Sequence, residues 1–128
     1  MIVGVPAETK KDEYRTAMLP VGAHLLVTDN HTVLIEKGAG LGSGYEDVAY
    51  TEAGATIVES AAQVFSESDL VVKVKEPQKE EIQMLRGQQT VFCYFHFAGS
   101  RELTEGCLEK EISAAGGLIP YLNKELDG

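Results

Sequence analysis

The chain has 128 residues, 44% of them hydrophobic and 24% charged, the composition of an ordinary globular protein long enough to bury a core. Its formal net charge of -9, from 20 acidic and 11 basic residues, argues against binding nucleic acid or an anionic membrane surface, since both require negative charge to be neutralised. No apolar run nears the ~20 residues of a membrane span, the start lacks the basic lead of a signal peptide, and Cys93 and Cys107 have neither metal-ligand nor redox spacing. The expectation is a protein of the reducing cytoplasm with no metal site.

Short apolar runs alternate with helical patterns along the chain, which predicts an α/β fold around a mostly parallel sheet. Residues 1–6 read as a first strand closed by Pro6, and residues 7–19 as a polar loop containing Lys10-Lys11-Asp12-Glu13-Tyr14-Arg15. Pro20 suits the first position of a helix whose face carries Val21, His24 and Leu25, and Asp29-Asn30 can end it. Residues 32–36 form a second strand, and a glycine-rich stretch, Gly38 to Gly44, follows. A short helix over 46–53 leads to a third strand, Ala55–Val58, and Ser60 is placed to cap a helix over 61–67.

Asp69–Lys75 reads as a fourth strand, stopped by Glu76-Pro77; a helix over 79–86 and a fifth strand over Thr90–His96 follow. Ser100 or Arg101 opens a helix reaching about Glu111. Ser113–Gly117 fits neither strand nor helix well, and Leu118–Leu122 is a candidate short strand. Cys93 lies in an apolar run and reads as a small core residue. No repeat or linker interrupts this pattern, so residues 1–128 are expected to form one domain.

Parallel strands buried on both faces should be apolar throughout, so Lys75 and His96, each closing a strand, stand out. Strict alternation would put Lys73 and Lys75 on one face of the fourth strand, and Phe92, Tyr94 and His96 on one face of the fifth. Ligands of open parallel sheets bind beyond the carboxyl ends of the strands, where Lys75, His96 and the loop carrying Arg15 would converge. Arg15 could hold a carboxylate with two hydrogen bonds, Lys75 could share it or polarise a carbonyl, His96 could move a proton near neutral pH, and Tyr94 could orient a partner. Each has a plainer reading as well: a solvated strand-end histidine, a snorkelling lysine, a surface arginine. Taken together the cations would form a positive focus in an acidic protein.

Gly40-x-Gly42-x-Gly44 invites a dinucleotide reading, but the fingerprint requires G-x-G-x-x-G at the opening of a helix. A turn with several positive φ angles is the better expectation.

Several segments together resemble one family: Val3-Gly4-Val5-Pro6-Ala7-Glu8-Thr9-Lys10, Glu13-Tyr14-Arg15, Val33 to Gly44, Ala53-Gly54-Ala55, Asp69 to Pro77, and Tyr94-Phe95-His96. Over about residues 1–110 the chain is similar to the N-terminal part of the alanine dehydrogenase and nicotinamide nucleotide transhydrogenase family. The resemblance implies a three-layer substrate domain, flavodoxin-like or Rossmann-like, with helices on both faces of the sheet. It implies that Arg15 and Lys75 bind the carboxylate and the keto or amino end of alanine or pyruvate, with Tyr94 beside them and His96 as the acid–base residue. His96 favours the alanine dehydrogenase branch, whose reaction takes L-alanine, NAD and water to pyruvate, ammonia and NADH.

The family's NAD-binding domain has no counterpart in these residues, so NAD is expected from the family and not bound by this chain alone. The chain alone would then be inactive. Small acids, a homo-oligomer and a chain carrying the NAD-binding domain are the partners implied. A non-catalytic small-acid module and a structural fragment of a split enzyme stand as alternatives. Leu19 departs from the family's capping threonine before Pro20, which predicts a weaker helix start.

Overall fold

The structure, a computed structural model, describes residues 1–95 and 100–115. Its strands are β1 (Ile2–Val5), β2 (Thr32–Glu36), β3 (Thr56–Val58), β4 (Leu70–Lys75), β5 (Thr90–Tyr94) and β6 (Ser113–Ala115). Its helices are α1 (Pro20–Thr28), α2 (Asp47–Glu52), α3 (Ala61–Glu67), α4 (Lys79–Met84) and α5 (Arg101–Glu109). The strands lie in the order β3-β2-β1-β4-β5-β6 and every neighbouring pair is parallel. The chain winds outward from β1 to β3, returns to the middle, and winds outward the other way from β4 to β6. The switch point between β1 and β4 opens the crevice in which doubly wound sheets bind ligands.

The central strands form because they are apolar on both faces. Val3 and Val5 in β1 are buried, as are Val33, Leu34 and Ile35 in β2. On one face α3, α4 and α5 pack Phe65, Leu85, Leu103 and Cys107 against Val71, Val91 and Cys93. On the other, α1 and α2 pack Ala23 and Tyr50 against Val5, Val33 and Ile35. This second cover does not extend over β5, where Phe92 is 52% and Tyr94 72% exposed. Among the described residues no helix is long and apolar enough to cross a membrane.

Local signals explain the helix ends. Ser60 Oγ accepts the Gln63 amide at the start of α3, as its position predicts, and Ser100 Oγ caps α5 through the Leu103 amide. Leu19 precedes Pro20 in α1 and offers no side-chain cap. The helix read over 79–86 ends at Met84, because Leu85 turns extended and buries itself in the core. The helix read to Glu111 ends at Glu109, two residues before Glu111 takes a positive φ of 55°.

The largest departure from the pattern is β6. Ser113, Ala114 and Ala115 carry no recognisable period, yet they pair with Thr90, Val91 and Phe92. A hydrogen bond from the Ser113 amide to the Gln89 carbonyl opens the ladder. The expected strand over Leu118–Leu122 lies outside the described residues, as does His96.

Candidate functional site

The loop between β1 and α1 rises at the switch point and carries Arg15. Its guanidinium forms a fork with Glu13: Nε donates to Oε2 at 2.9 Å and Nη2 to Oε1 at 2.7 Å, while the Arg15 amide also donates to Oε2 at 2.9 Å. These bonds hold the Glu13 carboxyl at about 2, well below the usual carboxylate range, and push the Arg15 guanidinium further up. The Arg15 side chain is 67% exposed against 5% for Glu13, so one edge of the fork is fixed and the remainder faces solvent. Sequence reading offered Arg15 as a two-pronged holder of an outside carboxylate; the structure shows one such edge, Nε with Nη2, already used by an internal one.

The glycine-rich turn is packed under this loop. A Cβ at Gly42 would stand 2.0 Å from the Tyr14 carbonyl oxygen, so only glycine lets the backbone before Arg15 lie where it does. Ser43 Oγ then accepts the Thr16 amide at 3.0 Å and ties the far side of Arg15 to the same turn. Positive φ angles occur at Gly38 and Gly44, while Gly40 is ordinary in backbone and filled against by Tyr50. The space these two central glycines leave is taken by the protein's own Tyr14 and Tyr50. The described residues therefore do not fit a dinucleotide pyrophosphate here, and acidic Glu8 and Glu13 occupy the loop where one would sit.

Lys75 closes β4 and pairs in register with Tyr94 of β5. The strict alternation expected of β4 does not hold, because the register with β5 shifts between Val72 and Lys75. Lys73 turns into the protein, 1% exposed, with its ammonium 3.1 Å from both Glu8 and Glu81. Glu8 also accepts the Val74 and Lys75 amides, each at 3.0 Å. Glu81 accepts the Gln78 amide at 2.9 Å; burial raises its pKa more than Lys73 lowers it. Lys75 forms no ion pair among the described residues, and its charge helps lower the Glu13 and Glu76 carboxyls.

The positive focus expected from the sequence is thus interleaved with carboxylates. Lys10 pairs with Glu76, Arg15 with Glu13, and Lys73 with Glu8 and Glu81. Glu8, Glu13 and Glu81 were given no site role from sequence, and Gly42 only a place in a turn. Lys73 was the available signal, since a lysine in the middle of a buried strand demands a counter-charge.

Beside Arg15, a cavity of about 340 Å³ runs along the open face of β4 and β5, walled by Ala17, Val72, Val74, Phe92 and Tyr94. It is apolar along the sheet and cationic at the Arg15 end. Tyr94 lies on its rim. Cys93, on the opposite face, is an inert core thiol whose pKa burial pushes up. The structure brings Arg15, Lys75 and Tyr94 to one edge of the sheet, and His96 follows two residues after β5, outside the described residues.

The fold is that of a doubly wound, all-parallel α/β domain. The sequence profile of the alanine dehydrogenase/PNT N-terminal domain matches residues 4–117. The chain is 48% identical over 112 residues to alanine dehydrogenase of Staphylococcus saprophyticus, covering 88% of this chain and 30% of that protein. It is 44% identical over 114 residues to alanine dehydrogenase of Bacillus subtilis, covering 89% and 30% respectively. An L-alanine dehydrogenase structure superposes with a TM-score of 0.86 at 41% identity, over 89% of this chain and 31% of that one. A transhydrogenase from Sinorhizobium meliloti superposes at 0.83 with 28% identity, over 89% and 34%. The chain belongs to the alanine dehydrogenase/PNT N-terminal domain family, and spans about 30% of the length of the curated relatives it matches.

Proposed function

We propose that this chain supplies the small-acid half-site of an alanine dehydrogenase, binding pyruvate or L-alanine at the edge between β1, β4 and β5. One observation supports the reading: Arg15, with much of its side chain exposed, lines a crevice walled mainly by Ala17, Val72, Val74, Phe92 and Tyr94, and Lys75, which forms no ion pair among the described residues, pairs in register with Tyr94 on its rim. The exposed edge of the guanidinium takes the substrate carboxylate, the Lys75 ammonium takes a carboxylate or carbonyl oxygen, and Ala17 and Val74 face the methyl group. Tyr94 stands beside the bound acid. His96 is the acid–base residue there, moving the proton of the nitrogen or oxygen attached to the substrate carbon, the role the family resemblance gives it.

In the complete reaction NAD, when bound, would supply the hydride acceptor that lets L-alanine and water give pyruvate and ammonia. The glycine turn is filled by its own neighbours, so a nicotinamide would be held by other residues, of a further domain or a partner chain. The open face of β5, with Phe92 and Tyr94 exposed, leaves room for such a domain or a second copy to pack.

The test is a titration of the purified chain with pyruvate, following backbone amide signals by NMR. Saturable shifts near Arg15, Lys75 and Tyr94 are expected. Arg15→Ala and Lys75→Ala should each weaken binding by about tenfold or more, since each removes a charge-assisted partner of the carboxylate, ~1.5–3 kcal/mol. Unchanged affinity in both variants would refute the site.

A further inference from the structure

Glu8 makes three contacts that a buried carboxylate with only a charge to neutralise would not require. Oε1 accepts the Lys73 ammonium at 3.1 Å and the Lys75 amide at 3.0 Å, and Oε2 accepts the Val74 amide at 3.0 Å. Three consecutive residues at the end of β4 are therefore held by one side chain that is 2% exposed. Successive amides of a regular strand point to opposite sides; two that meet one carboxylate mark the bulge already seen as the register shift between Val72 and Lys75.

The sheet alone leaves this end of β4 unsupported on one side. The β1–β4 ladder is recorded only at Val3 with Leu70 and Gly4 with Val71. Beyond Val71 the next acceptors on that side come from Glu8, three residues past the end of β1. Glu8 is in turn fixed by its own loop: the Ala7 amide donates to Glu36 at 2.9 Å, and Thr9 Oγ1 donates to Glu81 at 3.4 Å. The loop so anchored continues directly to Glu13 and Arg15.

We infer that Glu8 is a positioning residue for the substrate-binding pair: by gripping the bulged end of β4 from the β1 loop, it sets where Lys75 stands relative to Arg15. This rests on the reading of Arg15 and Lys75 as the small-acid site. The same carboxylate has a second effect on selectivity. Together with Glu81 it surrounds Lys73, so the cation nearest to Lys75 along the strand is closed to an incoming anion and the substrate carboxylate meets Lys75 and Arg15 alone.

Glu8→Gln keeps the shape but replaces one acceptor oxygen by a donor facing N–H groups. Two readouts are made on the purified chain: pyruvate affinity by NMR titration, and amide hydrogen exchange residue by residue. The expected result is a folded variant in which Val74 and Lys75 exchange faster, the amides of Val71 and Val91 stay protected, and pyruvate binds about tenfold more weakly or worse. Should Glu8→Gln fail to fold, Glu8→Asp, one methylene shorter, is measured in the same way and is expected to lose protection and affinity in the same direction. Faster exchange at Val74 and Lys75 with unchanged pyruvate affinity overturns the positioning role and leaves Glu8 as a structural partner of Lys73. A wild-type chain that gives no saturable shift with pyruvate overturns the substrate reading itself, a result distinct from a wild type that binds and a Glu8 variant that binds equally well.

Discussion

Besides the Glu13 carboxylate, Arg15 owes its place to residues that carry no charge of their own. Gly42 lies under the peptide that precedes it, and Ser43 holds the amide that follows it. Gly42→Ala would place a methyl group 2.0 Å from the Tyr14 carbonyl oxygen, a distance that forces backbone and not merely a side chain to move. The expected outcome is a folded chain with pyruvate affinity lowered about tenfold or more, because small displacements of a binding group are costly. Isothermal titration of Gly42→Ala, with circular dichroism as the fold control, checks this. Affinity equal to wild type would show that Arg15 tolerates the displacement. At this scale the sequence was half legible. Lys75 and Tyr94 could be singled out because ionisable or polar groups near the ends of apolar runs are conspicuous, and Arg15, in a polar loop, only through its expected convergence with them and the family resemblance. Their carboxylate partners could not, because Glu8 and Glu13 sit in a polar loop where glutamate is unremarkable until Lys73 and Arg15 are seen pointing at them.

Elements were legible where a period or a cap marks them. The apolar runs of β1, β2, β4 and β5 set the sheet, and Ser60 marked the start of α3. Ser113–Ala115 escaped because three small residues have neither period nor propensity; only the open edge of β5 makes them a strand. The phase of β4 was misjudged for a similar reason, since a bulge leaves no trace in a two-residue alternation. Caps give the sharpest test at this scale. Leu19 supplies no side-chain hydrogen bond to α1 and is 44% exposed, whereas Ser60 Oγ accepts the Gln63 amide at 3.2 Å. Leu19→Thr is expected to stabilise the chain by ~1 kcal/mol and Ser60→Ala to destabilise it by ~1 kcal/mol. Urea midpoints at unchanged slope measure both, and equal midpoints for all three chains would mean that neither helix start limits stability.

For the molecule as a whole, the buried and paired carboxylates predict how stability changes with pH, and their signs oppose. Glu13 is held at about 2 by Arg15, and Glu76 is lowered because, although burial is the largest single effect and raises it, the hydrogen bonds it accepts and the charges of Lys10 and Lys75 together outweigh burial. A depressed carboxylate contributes stability that is fully present above its unfolded value near 4.5 and is lost as pH falls toward its folded value. Glu81 works the other way. Burial raises its pKa, so the folded state holds the proton more tightly than the unfolded one, and stability declines as pH rises from about 4.5 through that raised value. The expected profile climbs from strong acid to a maximum near the ordinary carboxylate range and then falls. General repulsion in a chain of net charge -9 also lowers stability as carboxylates ionise, so the decline alone does not identify Glu81. Glu81→Gln separates the two causes. It keeps an acceptor for the Gln78 amide, removes only one of 20 acidic groups, and should flatten the falling limb while leaving the acid limb set by Glu13 and Glu76 in place. Thermal unfolding across the acid-to-neutral range reads both limbs; a falling limb as steep in Glu81→Gln as in the parent would assign it to net charge, and would mean that Lys73 compensates Glu81 fully.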